Sequence, residues 1–137
     1  MAEAIRVLLV DDEPLFLESM SKVLKVRGYA VGTAAGGVEA LEDLRFNRYD
    51  VVVLDLRMPG LDGIATLERI RKQDGLLPVI LLSGHADMSK AVEAMQHGAV
   101  DYLLKPAPVD KLCERIRSSL EHRDILQEMG PGGGQDR

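Results

Sequence analysis

A single cysteine, Cys113, stands in the chain. That rules out an internal disulfide framework and gives no sign of an oxidising compartment. No apolar run approaches the ~20 residues that a helix needs to span a bilayer. The amino terminus, MAEAIRVLLVDDE, meets acidic residues too soon for a secretion signal. Positive charge is not in excess either. The formal net charge is −5, whereas a nucleic-acid-binding surface usually carries a basic surplus. These absences leave a cytoplasmic protein as the expectation, with no membrane contact and no nucleic acid bound by this domain alone.

What is present suits one soluble domain. The 137 residues are long enough for a single apolar core, and 46% apolar with 28% charged residues is an ordinary globular balance. Four apolar runs read as buried strands: Ile5–Val10, Val51–Leu54, Val79–Leu82 and Tyr102–Leu104. A weaker strand is read at Tyr29–Thr33. Helical spacing fills the gaps: Leu15, Ser19, Val23 and Val26, then Val38, Leu41 and Leu44. Ile64, Leu67 and Ile70 mark a third helix, Met88, Val92 and Met95 a fourth, and Leu112, Ile116 and Leu120 a fifth. Gly28, Gly75 and Gly98 sit where helices should stop, and Pro14 and Pro108 where they should start. Strand then helix, five times over, implies a parallel sheet with helices on both faces. Residues 1–123 form the expected domain, and 124–137, ending in GPGGGQDR, a flexible tail or the start of a linker. Met20, Met88, Met95 and Met129 are expected to pack, and Cys113 to lie in the core or at an interface.

In open α/β sheets ligands bind beyond the carboxyl ends of the strands. Those ends carry Asp11, Asp12 and Glu13 after the first strand, Asp55 and then Arg57 after the third, Ser83 after the fourth and Lys105 with Pro106 after the fifth. Each has a bland reading as a turn, cap or solvated charge, but all fall at the same end of different strands. Three close carboxylates repel unless a cation joins them. A hard divalent ion such as Mg²⁺ takes oxygen ligands and keeps waters that phosphate oxygens can replace. A lysine adds a compact charge suited to phosphate, and a serine a hydroxyl donor. The set suits phosphoryl transfer onto a carboxylate.

The segments VLLVDDEP, VVVLDLRMPGLDG, PVILLSGHAD and GAVDYLLKP stand in this order. Together they make the chain resemble the receiver domain of bacterial two-component response regulators, from about Ile5 to about Leu120. The wording is most like receivers of enhancer-dependent, NtrC-type transcriptional activators. The resemblance implies a flavodoxin-like sheet of order 2-1-3-4-5. It implies Asp55 as phosphoacceptor, with Asp11, Asp12, Asp55 and the backbone carbonyl of Arg57 around Mg²⁺ or Mn²⁺. Lys105 would contact the phosphoryl group through a loop with a cis Lys105–Pro106 peptide, and Ser83 and Tyr102 would form a switch pair. Arg57 and His85 correspond to positions that tune phosphoryl lifetime, an exposed helix cap being the plain alternative for His85.

The implied partner is a sensor histidine kinase or phosphotransfer protein, with a homodimer as a second association. The implied output lies on the surface of the fourth helix, fifth strand and fifth helix. On this reading the domain is a signalling switch that catalyses only its own phosphorylation and dephosphorylation. A phosphatase of the haloacid dehalogenase type is the rival, but that family reads D-x-D on the first strand and carries a cap domain, for which there is no room here. Whether the receiver is cut from a longer regulator or stands alone, its tail fits both.

Overall fold

In a computed structural model, residues 3–56, 62–84 and 88–129 are described. Strands and helices alternate: β1 (Arg6–Val10), α1 (Pro14–Val26), β2 (Ala30–Ala34), α2 (Gly37–Phe46), β3 (Val51–Leu54), α3 (Gly63–Gln73), β4 (Val79–Ser83), α4 (Met88–Gln96), β5 (Asp101–Leu104) and α5 (Val109–Met129). All strand pairs are parallel, in the order β2-β1-β3-β4-β5. The doubly wound sheet read from the sequence is therefore the observed one.

The period-two alternation of strand side chains sorts the core into two layers. Val7, Leu9, Val51, Val53, Ile80 and Leu82 pack with Leu24 of α1 and with Leu112, Cys113, Ile116 and Leu120 of α5. Leu8, Val10, Val52, Leu54, Val79 and Leu81 pack with Ala40 of α2, Leu67 and Ile70 of α3 and Ala94 of α4. Because helices cover both faces, the central strands read as unbroken apolar runs. Helices α1 and α4 end alike. Gly28 and Gly98 take positive φ, +96° and +105°, and the N–H groups of Gly28 and Tyr29, and of Gly98 and Ala99, turn back onto carbonyls of the last helical turn.

Two helices turn a different side inward from the one their sequence suggested. In α1, Leu15, Ser19, Val23 and Val26 are exposed, while Phe16, Leu17, Met20 and Leu24 face the core. The helix carries two apolar stripes, and spacing alone does not choose between them. In α4, Val92 and Met95 are exposed, while Ala91 and Ala94 are buried, Ala94 within the α2–α4 core layer. Val38 and Met129 are exposed as well, whereas Leu41 and Leu44 pack. Helix α5 continues through the expected boundary at 123 as far as Met129. No glycine or proline interrupts it before Gly130, and residues 130–137 lie outside the described set. Among the described residues no helix is long and apolar enough to cross a membrane.

Candidate functional site

The sheet ladder runs one residue beyond three of the strands. The Asp11 N–H donates to the carbonyl of Ala34 at 3.1 Å, that of Asp55 to Val10 at 3.0 Å, and that of Lys105 to Ser83 at 2.8 Å. The backbones of these three residues are thus fixed by the sheet while their side chains emerge at its carboxyl edge. Continuing the alternation, Asp11, Asp55 and Lys105 share the α1/α5 side of the sheet. Ser83 and Tyr102 belong to the α2–α4 side.

Asp11, Asp12 and Asp55 each offer a carboxylate oxygen within 4.8 Å of the others. Asp11 and Asp55 are buried and Asp12 is exposed. The Lys105 ammonium reaches into this group, donating to Asp11 Oδ2 at 2.6 Å and to Glu13 Oε1 at 3.1 Å, with Asp55 Oδ2 at 4.0 Å. The other Asp11 oxygen, Oδ1, accepts from the Glu13 N–H at 3.0 Å. Burial works against charge on Lys105. Its hydrogen bonds to Asp11 and Glu13 and the attraction of Asp11 and Asp55 outweigh that, so its pKa lies above the ordinary lysine value. Its Nζ also stands 4.1 Å from the centroid of the Phe16 ring.

Ser83 is fully buried at the end of β4, opposite Leu104 in register. Tyr102 is half-buried and packs against the core layer that includes Ala94 and Ala99. The Lys105–Pro106 peptide is cis. Arg57 and His85 lie outside the described residues. On the far side of Asp55, the first residue of α3 is Gly63, where an added Cβ would lie 2.5 Å from Leu56 Cα and 2.7 Å from the Asp55 carbonyl oxygen. The Asp62 side chain caps that helix by accepting from the Ala65 N–H at 2.9 Å.

Sequence reasoning brought Asp11, Asp12, Asp55, Ser83 and Lys105 to one edge, and there they are. It gave no role to Phe16 or Gly63. Phe16 was hidden because the wrong stripe of α1 was taken as its inner face. Gly63 carries no signal beyond being a glycine at a helix start. A broad depression of about 1290 Å³ at the other end of the strands, lined by Arg6, Phe46, Asp50 and Arg123 among others, contains none of the converging carboxylates. Asp50 there accepts from the Arg6 N–H at 2.8 Å and pairs with Arg123 at 3.3 Å, while the converging carboxylates lie at the carboxyl edge.

The donor set fits a hard divalent cation. The Lys105 ammonium meets the carboxylates of Asp11, Glu13 and Asp55, and that of Asp12 clusters with those of Asp11 and Asp55. The remaining negative excess is presented entirely by oxygen, so the cluster could hold a metal ion.

The sheet order and its acidic carboxyl edge define a flavodoxin-like α/β protein. Residues 7–117 match the model of the response regulator receiver domain, and the chain belongs to that family. It is 38% identical over 128 residues to the C4-dicarboxylate transport transcriptional regulatory protein DctD of Rhizobium meliloti, covering 93% of this chain and 28% of DctD. It is 39% identical over 118 residues to the transcriptional regulatory protein PrrA of Mycobacterium tuberculosis, covering 86% of this chain and 51% of PrrA. The chain thus spans about half or less of these relatives.

Among solved structures, NtrX from Brucella abortus superposes with a TM-score of 0.87 at 34% identity, covering 92% of this chain and 29% of NtrX. A receiver domain from Clostridium thermocellum gives 0.84 at 34% identity, covering 89% and 98%. The likeness to receivers of NtrC-type activators read from the sequence is reproduced by DctD and NtrX.

Proposed function

We propose that this receiver takes a phosphoryl group on Asp55 from the phosphohistidine of a sensor histidine kinase or phosphotransfer protein. The state of Asp55 is then read at the surface of α4, β5 and α5, by a second copy of the chain or by an output partner in transcription control. The observation that carries the reading is the cluster of Asp11, Asp12 and Asp55, with the Lys105 ammonium against Asp11 and 4.0 Å from Asp55.

In the transfer, a carboxylate oxygen of Asp55 bonds to phosphorus as the bond from phosphorus to the imidazole nitrogen breaks, giving an acyl phosphate. Asp11, Asp12, Asp55 and the carbonyl of Arg57 are the residues that would hold Mg²⁺. When bound, the ion supplies positive charge against the carboxylates and the phosphoryl oxygens. The sheet bond of the Asp55 N–H holds the nucleophile still. Lys105, 4.0 Å from Asp55 Oδ2, pairs with the arriving phosphoryl oxygens. The Ser83 hydroxyl donates to one of them, and Tyr102 moves inward behind it, shifting a two-state equilibrium at α4.

The test is intact mass after incubation with Mg²⁺ and acetyl phosphate. Wild type is expected to gain one phosphoryl group and Asp55→Asn none. Equal gain by both removes Asp55 as acceptor. Phosphoryl lifetimes of Arg57→Ala and His85→Ala beside wild type decide whether those two side chains tune hydrolysis.

A further inference from the structure

The Lys105 ammonium is held from three directions. Two are carboxylates, Asp11 Oδ2 at 2.6 Å and Glu13 Oε1 at 3.1 Å. The third is the face of Phe16, with Nζ 4.1 Å from the ring centroid. We infer that Phe16 is a positioning residue for Lys105, its ring holding the ammonium over the acidic edge for transfer to Asp55. The inference rests on the phosphoacceptor reading of the site.

Lysine carries its charge on a flexible four-carbon stem, and a lone carboxylate fixes it poorly. A ring face within ~6 Å attracts an ammonium through its quadrupole, more strongly when the cation is desolvated. Only 15% of the Lys105 side chain is exposed, so the interaction is little diluted by water. The ring is also well anchored. Phe16 is the third residue of α1, half-buried and packed against the core layer of α1 and α5. Pro14 fixes the first turn, and the Glu13 carbonyl accepts from Leu17 N–H at 3.1 Å. Asp11 and Glu13 precede the same helix, so β1 and the start of α1 form one cradle for a lysine that arrives from β5, 94 residues from Asp11.

The arrangement has a direction. Lys105 lies closer to Asp11 and Glu13 than to Asp55. To meet a phosphoryl group on Asp55 the ammonium slides away from Glu13. A ring face imposes no fixed hydrogen-bond direction, so it holds the cation along that path where a third carboxylate would trap it.

The experiment compares Phe16→Leu, Phe16→Met and Phe16→Tyr with wild type by two readouts. The first is the proton and carbon resonances of the Lys105 ε-methylene in the metal-free, unphosphorylated protein. Ring-current shielding is expected in wild type and Phe16→Tyr, and its loss in the Leu and Met variants. The second is the rate of phosphorylation by acetyl phosphate with Mg²⁺. It is expected to fall by about threefold to tenfold in the Leu and Met variants and to recover in Phe16→Tyr. Phe16→Met keeps the test open if Phe16→Leu does not fold. Lys105 resonances without shielding in wild type overturn the contact. Shielding lost with an unchanged rate overturns the positioning role. A wild-type chain that shows shielding yet takes up no phosphoryl group overturns the phosphoacceptor reading, and the role with it, and leaves the contact standing.

Discussion

Replacing Gly63 with alanine sets two effects of opposite sign against each other. As the first residue of α3, alanine gains helix propensity and restricts the unfolded chain, together at most ~1 kcal/mol in favour of folding. Against that, the new methyl would lie 2.5 Å from Leu56 Cα, 2.7 Å from the Asp55 carbonyl oxygen and 3.0 Å from the Leu56 carbonyl oxygen. All three are backbone atoms and cannot rotate aside, and overpacking of this kind costs roughly 1–3 kcal/mol. The clash wins, and the net loss is about 1–2 kcal/mol. For a domain of this size that lowers Tm by about 4–8 °C. The same push displaces the peptide that carries Asp55, and on the proposed role of Asp55 as nucleophile this slows transfer by up to ~100-fold per ångström. Gly75→Ala is the control, since nothing lies within 4 Å of its added Cβ and its change is expected to stay within ~0.5 kcal/mol. Thermal unfolding followed by circular dichroism, with acetyl phosphate phosphorylation alongside, reads both effects. A Gly63→Ala protein as stable as wild type and phosphorylated at the same rate would refute the close-approach argument.

Asp55→Asn removes one of the three crowded carboxylates and is expected to raise the stability of the metal-free protein by about 1 kcal/mol. The gain shrinks as Mg²⁺ is added, because wild type then gains more from binding; a metal-free melt in which Asp55→Asn is the less stable protein contradicts it. Asp50 accepts from the Arg6 N–H at 2.8 Å and from Arg123 Nη1 at 3.3 Å, so Asp50→Ala should cost roughly 1 kcal/mol. Hydrogen exchange should quicken in residues 121–129 but not in 109–120, and uniform exchange along α5 would remove the clamp. Arg71 donates from Nε and Nη2 to the Gly98 carbonyl at 3.1 and 2.8 Å, and from Nη1 to the Asp74 backbone carbonyl at 3.1 Å. Lysine cannot copy that fork, and Arg71→Lys is expected to lose about 1–2 kcal/mol in urea unfolding; an unchanged midpoint would set the fork aside.

The strands were legible because a sheet covered on both faces leaves little room for polar residues inside. Where that rule relaxes, the reading slipped. The strand read at Tyr102–Leu104 begins one residue earlier, at Asp101, whose two carboxylate oxygens accept from Arg115 Nη1 at 2.8 and 2.7 Å. The residues at the carboxyl edge were legible as types, since each follows its strand directly. Their surroundings were not. The contact of Lys105 with Phe16 depends on which stripe of α1 faces inward, and α1 has two.

The slip in α4 bears on function. Buried Leu or Ile side chains of α3 and α5, such as Leu67, Ile70, Leu112 and Ile116, contribute roughly 1.5–3 kcal/mol each. Among the described side chains of α4 the buried ones are Ala91 and Ala94, which remove far less apolar area from water. The described side chains of α4 therefore bury less apolar area than those of α3 or α5. Its larger apolar residues, Val92 and Met95, are exposed, as is Leu104 of β5. Asp11, Asp55 and Lys105 on the α1/α5 side of the strands and Ser83 on the other side thus meet at one edge. On the proposed phosphoacceptor reading, a change in charge at Asp55 would be read at a helix whose described side chains bury less apolar area than those of α3 or α5.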